Sequence, residues 1–252
     1  MKKIAILGVV FLFGASTGWI APRLTAWLSA SLAVEKAWDQ PLSPAVWEAR
    51  ESQFELLDPH TPSPSLVYLG DSLTDFADVE ELMHFDGGAV INRGIQGDTT
   101  SAILRRIKQS FPHGASVVIL LAGYNNVTRG GDPGPTAGEI KAICDYLIRE
   151  RNVDHVVIES VPPGTDERRL PQIQALNARL AEIEPTDERI SFLDLFPHLC
   201  SGVEPNATLY VDHIHLNAAG IQHRLQLEMD HLRRVCPDVG SRLTLITEKG
   251  ES

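Results

Sequence analysis

The segment SLVYLGDSLTDF, Ser65 to Phe76, joins an apolar run to a helical pattern through a Gly-Asp-Ser turn. A short apolar run without alternation is typical of a strand that is buried on both faces of a parallel sheet. Ligands of such sheets bind beyond the carboxyl ends of the strands, which predicts that Ser72 lies at a binding crevice. Its hydroxyl could cap the helix, bind a phosphate or act as a nucleophile.

Two of these roles have weak support in the turn itself. Thr74 or Asp75 could cap the helix equally well, so capping alone does not explain Ser72. The turn also lacks the lysine and the spaced glycines of a phosphate-binding P-loop. The nucleophile hypothesis therefore depends on whether the rest of the chain supplies a base.

Four more short apolar runs follow, and helical patterns separate them. These runs begin at Gly88, Ala115, His155 and Arg189. Repeated strand–helix units favour right-handed crossovers between parallel strands. The pattern predicts an α/β fold, in which helices cover both faces of a doubly wound, five-stranded parallel sheet in three layers.

Polar segments also follow the second, third and fifth predicted strands. They are NRGIQGDTT from Asn92 to Thr100, GYNN from Gly123 to Asn126, and DHIHLN from Asp212 to Asn217. Because the carboxyl ends of parallel strands meet at one edge of a sheet, these segments are expected to gather around Ser72.

Together the segments contain the groups that acyl transfer requires. Ser72 needs a base to take its proton, and His215 is suited because imidazole exchanges a proton near neutral pH. Asp212 can accept the other imidazole N–H and orient the ring. The backbone N–H groups of Ser72 and Gly97 and the side-chain amide of Asn125 could stabilise a tetrahedral oxyanion.

The blocks GDSLTD, NRGIQGDTT, GYNN and DHIHLNAAG resemble, in order, the conserved blocks of the SGNH or GDSL-type hydrolases, over about Ser65 to Arg234. The resemblance implies a flavodoxin-like sheet of strand order 2-1-3-4-5 and no cofactor or metal. It places the nucleophile at Ser72, the Asp–His pair at Asp212 and His215, and the oxyanion donors at Ser72, Gly97 and Asn125.

Many family members have Gly-x-Asn-Asp in the third block, whereas this chain has Asn126 in the last place. This form is similar to the catalytic subunits of platelet-activating-factor acetylhydrolase and to related bacterial acetylesterases. The resemblance implies a serine esterase (EC 3.1) that cleaves carboxylic esters with short acyl groups through an acyl-enzyme. The alternatives are a lysophospholipase or thioesterase for longer chains, and a membrane-tethered module that binds carbohydrate or lipid without catalysis.

Other residues beside these blocks are candidates for contact with substrate. They are Asp71, Tyr124, Asn126 and His213. A metal site formed by Asp212, His213 and His215 is a rival interpretation, although hydrolytic metals usually take three protein ligands and no third histidine lies in the other loops. Asn177 matches a frequent family asparagine that would tie a helix to a loop, or it is simply an exposed helical residue.

The formal net charge of −11 and the lack of a basic cluster argue against a nucleic-acid partner. The resemblance implies a small-molecule, lipid or carbohydrate ester as the substrate. Lys2 and Lys3 precede an uncharged stretch from Ile4 to Ala21, which predicts a signal peptide or a transmembrane anchor. Both place the domain outside the cytoplasm, in a bacterial periplasm or at the cell surface, either tethered or released.

The remaining organisation is simple. Residues 22–40 are predicted to form a stalk, residues 41–237 the hydrolase domain, and residues 238–252 a frayed tail. Pro44 opens a helix in which Val46, Trp47, Phe54 and Leu57 could share one face. Cys200 and Cys236 could pair only in an oxidising compartment.

Overall fold

The computed structural model describes residues 44–202 and 204–246 of the 252-residue chain. The predicted leader and stalk lie outside these residues, so both stay predictions. Within the described ranges, every helix is too short or too polar to cross a membrane.

The core of the protein is a five-stranded sheet in which all neighbouring strands are parallel. The strands of the protein are β1 Ser65–Gly70, β2 Met83–Phe85, β3 Ala89–Gly94, β4 Val117–Leu121, β5 His155–Glu159, β6 Ile190–Leu193, β7 Cys200–Ser201, β8 Glu204–Pro205 and β9 Leu243–Leu245. The strand order of the central sheet is β3-β1-β4-β5-β6, which confirms the predicted order 2-1-3-4-5 and the α/β class. Every residue of β1 and β4 is buried, as their unbroken apolar runs predicted.

Helices cover both faces of the sheet and bury separate apolar clusters. The helices are α1 Pro44–Leu57, α2 Ser72–Asp75, α3 Val79–Leu82, α4 Thr100–Gln109, α5 Tyr124–Thr128, α6 Pro133–Glu150, α7 Leu170–Ala181, α8 Ala218–Val235 and α9 Pro237–Gly240. One face of the sheet packs against α4, α6 and α7, and the other packs against α3 and α8.

Side-chain caps start the helices that leave the site edge of the sheet. Thr99 accepts a hydrogen bond from the backbone N–H of Ala102 at α4, and Asn217 accepts one from Gly220 at α8. Each cap satisfies a backbone donor that has no partner inside the helix. These caps set the points where the chain turns from the site loops into the helical layers.

The prediction of a frayed tail was wrong for the residues up to 246. Residues 237–240 form α9, and β9 pairs antiparallel with β2, with Leu243 opposite Phe85. Both side chains are buried in the cluster beneath α8. A strand of three residues carries almost no periodic signal, and only its distant partner β2 shows that it is a strand.

The predicted apolar face of α1 was also only partly correct. Trp47 and Phe54 are buried, whereas Val46 and Leu57 are half exposed. Cys200 and Cys236 are both free thiols, as is Cys144.

Candidate active site

The turn after β1 frees the hydroxyl of Ser72 from a capping role. Asp71 is the N-cap of α2, and its Oδ1 accepts the backbone N–H of Leu73 at 3.0 Å. Ser72 is the first residue of the helix, a position whose backbone N–H has no acceptor within the helix. Gly70 permits this tight turn because a Cβ there would overlap the Leu121 carbonyl oxygen and the Thr74 hydroxyl.

A continuous chain of hydrogen bonds links Asp212, His215 and Ser72. Nε2 of His215 lies 2.9 Å from Oγ of Ser72, and Nδ1 lies 2.7 Å from Oδ2 of Asp212. The other carboxylate oxygen, Oδ1, accepts the backbone N–H groups of Ile214 and His215 at 2.8 and 2.7 Å. The ring of Phe76 packs against the imidazole with centroids 5.2 Å apart. The imidazole is therefore held in one orientation between the carboxylate and the hydroxyl.

Asp212 is held in its ionised form. Partial burial acts to raise the pKa of this carboxyl, but the hydrogen bonds from the His215 side chain and from the backbone of His215 and Ile214 outweigh it. The net effect is a pKa of about 2 for Asp212. A carboxylate in this position fixes the imidazole tautomer whose Nε2 can accept a proton from Ser72.

Two further loops meet the turn that carries Ser72, on the side away from His215. Gly97 has a φ of 76°, a left-handed conformation that glycine adopts without strain, and its carbonyl accepts Nη2 of Arg129 at 2.8 Å. Nδ2 of Asn125 donates to the Asp98 carbonyl at 3.0 Å and to Oδ2 of Asp71 at 3.2 Å. Asn125 thus joins the three loops that carry the predicted oxyanion donors.

The buried side chain of Asp71 contacts both Asn125 and the start of α2. Its side chain is 1% exposed, which corrects the expectation that it contacts substrate. Burial raises its pKa to about 7, and the nearby Asp98 adds to this, while the hydrogen bond from Leu73 opposes it. The carboxyl accepts the amide of Asn125 and caps α2, so it connects Asn125 to the turn that carries Ser72.

Residues 68–223 match the GDSL-like lipase/acylhydrolase family, which is well over half of the chain. The chain belongs to this family. Members of the GDSL-like lipase/acylhydrolase family are serine ester hydrolases, and the ordered blocks of the sequence had predicted that membership. None of the curated proteins compared matches the chain.

Solved structures share the fold of this GDSL-like acylhydrolase. A Streptococcus pneumonia protein described as a platelet activating factor superposes with a TM-score of 0.68 at 19% identity, covering 81% of this chain and 99% of its own. A GDSL-like lipase from Bacteroides thetaiotaomicron gives 0.62 at 21% identity, with 73% and 97% covered. A catalytic mutant of the acetylxylan esterase Axe2 from Geobacillus stearothermophilus gives 0.53 at 15% identity, with 70% and 95% covered.

Asn126 has a structural role in this acylhydrolase, and its expected contact with substrate stays a prediction. Its Oδ1 accepts the backbone N–H of Thr100 at 3.1 Å, and its Nδ2 donates to the Thr100 hydroxyl at 2.8 Å. Thr100 also hydrogen-bonds Glu139. Asn126 therefore ties α5 to the start of α4, while the preceding Asn125 hydrogen-bonds Asp71 and the Asp98 carbonyl.

The other predicted substrate contacts differ in their exposure. Tyr124 is buried, and burial together with the charge of Asp166 raises its pKa to about 12, so its hydroxyl is protonated at neutral pH. The side chain of His213 is exposed, and its backbone carbonyl accepts the N–H of Thr165 at 2.8 Å. Asn177 ties α7 to the loop after β5, because its amide donates to and accepts from the backbone of Val161 at 2.9 and 2.8 Å.

The rival metal site is not formed by the described part of the chain. No group of three or more His, Cys, Asp or Glu side chains within residues 44–202 and 204–246 is arranged to hold a metal ion. Both imidazole nitrogens of His215 are also engaged, one by Asp212 and the other by Ser72.

Sequence patterns did not reveal a buried charged cluster that contacts the helix of Ser72. Arg224 is fully buried and donates through Nη1 to the carbonyl of Leu73 at 2.8 Å. It also pairs with Glu159 at 2.6 Å and with Glu228 at 2.8 Å. Glu228 in turn accepts the hydroxyl of Tyr68 at 2.5 Å. The available signal was the i, i+4 spacing of Arg224 and Glu228 among the apolar residues of α8.

Proposed function

We propose that this acylhydrolase cleaves carboxylic esters of small acyl groups, with Ser72 as nucleophile, His215 as base and Asp212 as its orienting partner. The hydrogen-bonded chain from Asp212 through His215 to Ser72 carries the proposal, with both links below 3 Å. Such a chain activates a hydroxyl that is otherwise a weak nucleophile.

The reaction follows from these positions. His215 takes the proton of Ser72 as Oγ attacks the ester carbonyl, and the oxyanion that forms accepts hydrogen bonds from the backbone N–H of Ser72 and Gly97 and from the Asn125 amide. The intermediate collapses to an acyl-enzyme, and His215 gives the proton to the departing alcohol. Water, deprotonated by His215, then attacks the acyl group. The second tetrahedral intermediate collapses as His215 returns the proton to Oγ of Ser72 and the carboxylic acid leaves.

Asn125 has to exchange a partner during this reaction. Both hydrogens of its amide have protein acceptors, the Asp98 carbonyl and the Asp71 carboxyl. The longer bond, 3.2 Å to Asp71, is the one that an oxyanion would replace more easily. The bond to the Asp98 carbonyl then keeps the amide in place.

A preference for small acyl groups is supported by the residues beside the catalytic ones. Leu73 follows Ser72, Tyr124 precedes Asn125 and Ile214 precedes His215. All three side chains are buried in the same apolar cluster, so the protein interior directly beside the proposed catalytic residues is packed. A long acyl chain that entered this interior would have to displace well-packed side chains, which costs free energy.

Hydrolysis of p-nitrophenyl esters from acetate to palmitate by the purified protein tests both parts of this proposal, with Ser72→Ala as the control. We expect serine-dependent turnover that is fastest for acetate or butyrate. A maximum at long chains would instead support a lysophospholipase or thioesterase. If no ester of any chain length gave serine-dependent turnover, the result would support the alternative of a non-catalytic binding module.

We further propose that the protein acts outside the cytoplasm, on the basis of the uncharged stretch from Ile4 to Ala21 after Lys2 and Lys3. Cell fractionation followed by N-terminal sequencing tests this. Recovery of the intact N-terminus in the membrane fraction indicates an anchor, and a new N-terminus in the soluble extracytoplasmic fraction indicates a cleaved signal peptide. Recovery in the cytoplasm would contradict export.

A further inference from the structure

Helix α1 precedes the segment that matches the family, yet it lies against the catalytic loops. The match begins at residue 68, whereas α1 spans Pro44–Leu57. Its buried residues, Trp47 and Phe54, form a small apolar cluster with Ile95 and Ala102. These partners flank the loop that carries Gly97.

The indole of Trp47 makes the most specific contact. Its Nε1 donates to Oδ1 of Asp98 at 2.9 Å in a fully buried hydrogen bond. Nε of Arg106 holds the second oxygen, Oδ2, at 2.8 Å. The backbone carbonyl of the same Asp98 accepts the Asn125 amide at 3.0 Å. Two hydrogen bonds that share Asp98 thus connect Trp47 to Asn125, a proposed oxyanion donor.

Arg106 extends this network to the nucleophile strand. Its Nη2 donates to the carbonyl of Gly70 at 3.2 Å and to that of Arg93 at 2.8 Å. Gly70 ends β1, directly before Asp71 and Ser72. The carboxylate of Asp98 is therefore held between a helix outside the family match and a guanidinium that spans the ends of two strands.

A second residue of α1 reaches the helix that carries Ser72. Nη2 of Arg50 lies 3.1 Å from Oδ1 of Asp75, and Oδ2 of Asp75 accepts the backbone N–H of Gln96 at 3.1 Å. One carboxylate thus joins α1, α2 and the loop beside Gly97. With Trp47, α1 contacts both sides of the proposed site.

We propose that α1 positions the oxyanion side of the active site, and that Trp47 is a positioning residue that acts through Asp98 on Asn125. This inference rests on the esterase function proposed above. A buried hydrogen bond to a carboxylate is strong and directional, so it fixes the loop backbone as well as the side chain. Small displacements of groups that bind a transition state are costly in rate even when substrate still binds.

A purely structural role for α1 leads to a different expectation. If α1 only covered apolar surface, loss of the Trp47 donor would lower stability and leave the rate constants of the folded enzyme unchanged. Both roles predict lower thermal stability, and only a positioning role predicts a lower kcat, so kcat distinguishes them.

The test is Trp47→Phe in the full-length protein, because phenylalanine keeps an aromatic ring but lacks the N–H donor. We expect kcat for p-nitrophenyl acetate to fall about tenfold while KM changes by less than about twofold. Phosphonylation of Ser72 by a fluorophosphonate, followed by intact mass, should slow by a similar factor because that reaction also develops an oxyanion.

The matched control is Phe111→Leu, which trims another buried aromatic residue. Phe111 lies between the end of α4 and the start of β4, at the opposite edge of the sheet from the site. We expect this variant to lose stability while both rates stay within about twofold of wild type. If kcat and the phosphonylation rate of Phe111→Leu also fell about tenfold, the effect of Trp47→Phe would be one of general destabilisation, which would contradict the proposal.

Arg50→Gln provides a second variant whose folding is safer, since the Arg50 side chain is one third exposed. We expect a loss of about threefold in kcat from the weakened tie to Asp75. If wild type is active and both variants match it in kcat and in phosphonylation rate, the positioning role is excluded. If wild type shows neither turnover nor labelling of Ser72, it is the proposed esterase function that fails.

Discussion

Nε2 of His215 lies 2.9 Å from Oγ of Ser72, although 143 residues separate the two in the chain. Ser72 follows the first strand of the parallel sheet, and His215 follows a loop that returns from the last one. The sheet brings them together because the carboxyl ends of its strands share one edge. The contact depends on Asp212, whose carboxylate orients the imidazole from the other side.

Replacement of Asp212 by asparagine should lower kcat by about 10³-fold or more, because an amide favours the tautomer that cannot accept the Ser72 proton. Steady-state kinetics with p-nitrophenyl acetate measure this. Asp238→Asn, at an exposed aspartate of α9, is the control and should match wild type. A loss of less than tenfold in Asp212→Asn would contradict the proposed role.

The adjacent residues Asn125 and Asn126 should respond differently to alanine. Asn125→Ala removes a proposed oxyanion donor, and kcat should fall by about 10²-fold or more. Asn126→Ala removes a tie to Thr100 and should cost about 1 kcal/mol of unfolding free energy, with kcat within a fewfold of wild type. Kinetics and urea denaturation of both variants decide, and equal kcat values for the two would refute the assignment.

Asp71 should make stability depend on pH. Its pKa is about 7 in the folded protein, above its ordinary value of 3.8, so the folded state binds this proton more tightly than the unfolded state. The resulting stabilisation is full below about pH 4 and is lost as the pH rises through 7. From pH 5 to pH 8, wild type should therefore lose stability relative to Asp71→Asn, which cannot titrate.

Denaturant unfolding of both proteins at the two pH values measures that difference. Any constant effect of the asparagine cancels when the two differences are compared. If the stability difference between the proteins is the same at pH 5 and pH 8, Asp71 does not titrate in this range.

Two arginines of α8 should differ sharply in their contribution to stability. Arg224→Met leaves Glu159 and Glu228 buried without their cation, and should cost about 3–5 kcal/mol of unfolding free energy. Arg233→Met breaks only an exposed pair with Asp230 and should cost less than about 1 kcal/mol. Urea denaturation measures both, and a similar small cost for each would show that the buried cluster is not held by Arg224.

Much of the fold and the chemical groups of the site could be predicted from local patterns. The five central strands were identified from short apolar runs, four of them with little alternation, since burial on both faces leaves a strong signal in a few residues. The blocks around Ser72 and His215 identified the family in the same way. By contrast, β9 has three residues and was assigned to a frayed tail, because its pairing with β2 cannot be seen from its own residues.

The sequence by itself determined the parallel sheet and the family, and it supplied the proposed catalytic residues, because buried strands and family blocks are short, contiguous patterns. Only the tertiary structure decided that Asp71 caps α2 and leaves Ser72 free, that Trp47 holds Asp98, and that Arg224 lies beneath Leu73. The last two contacts join residues 51 and 151 positions apart. Their geometry is set by how helices pack on the sheet, and no local pattern encodes that.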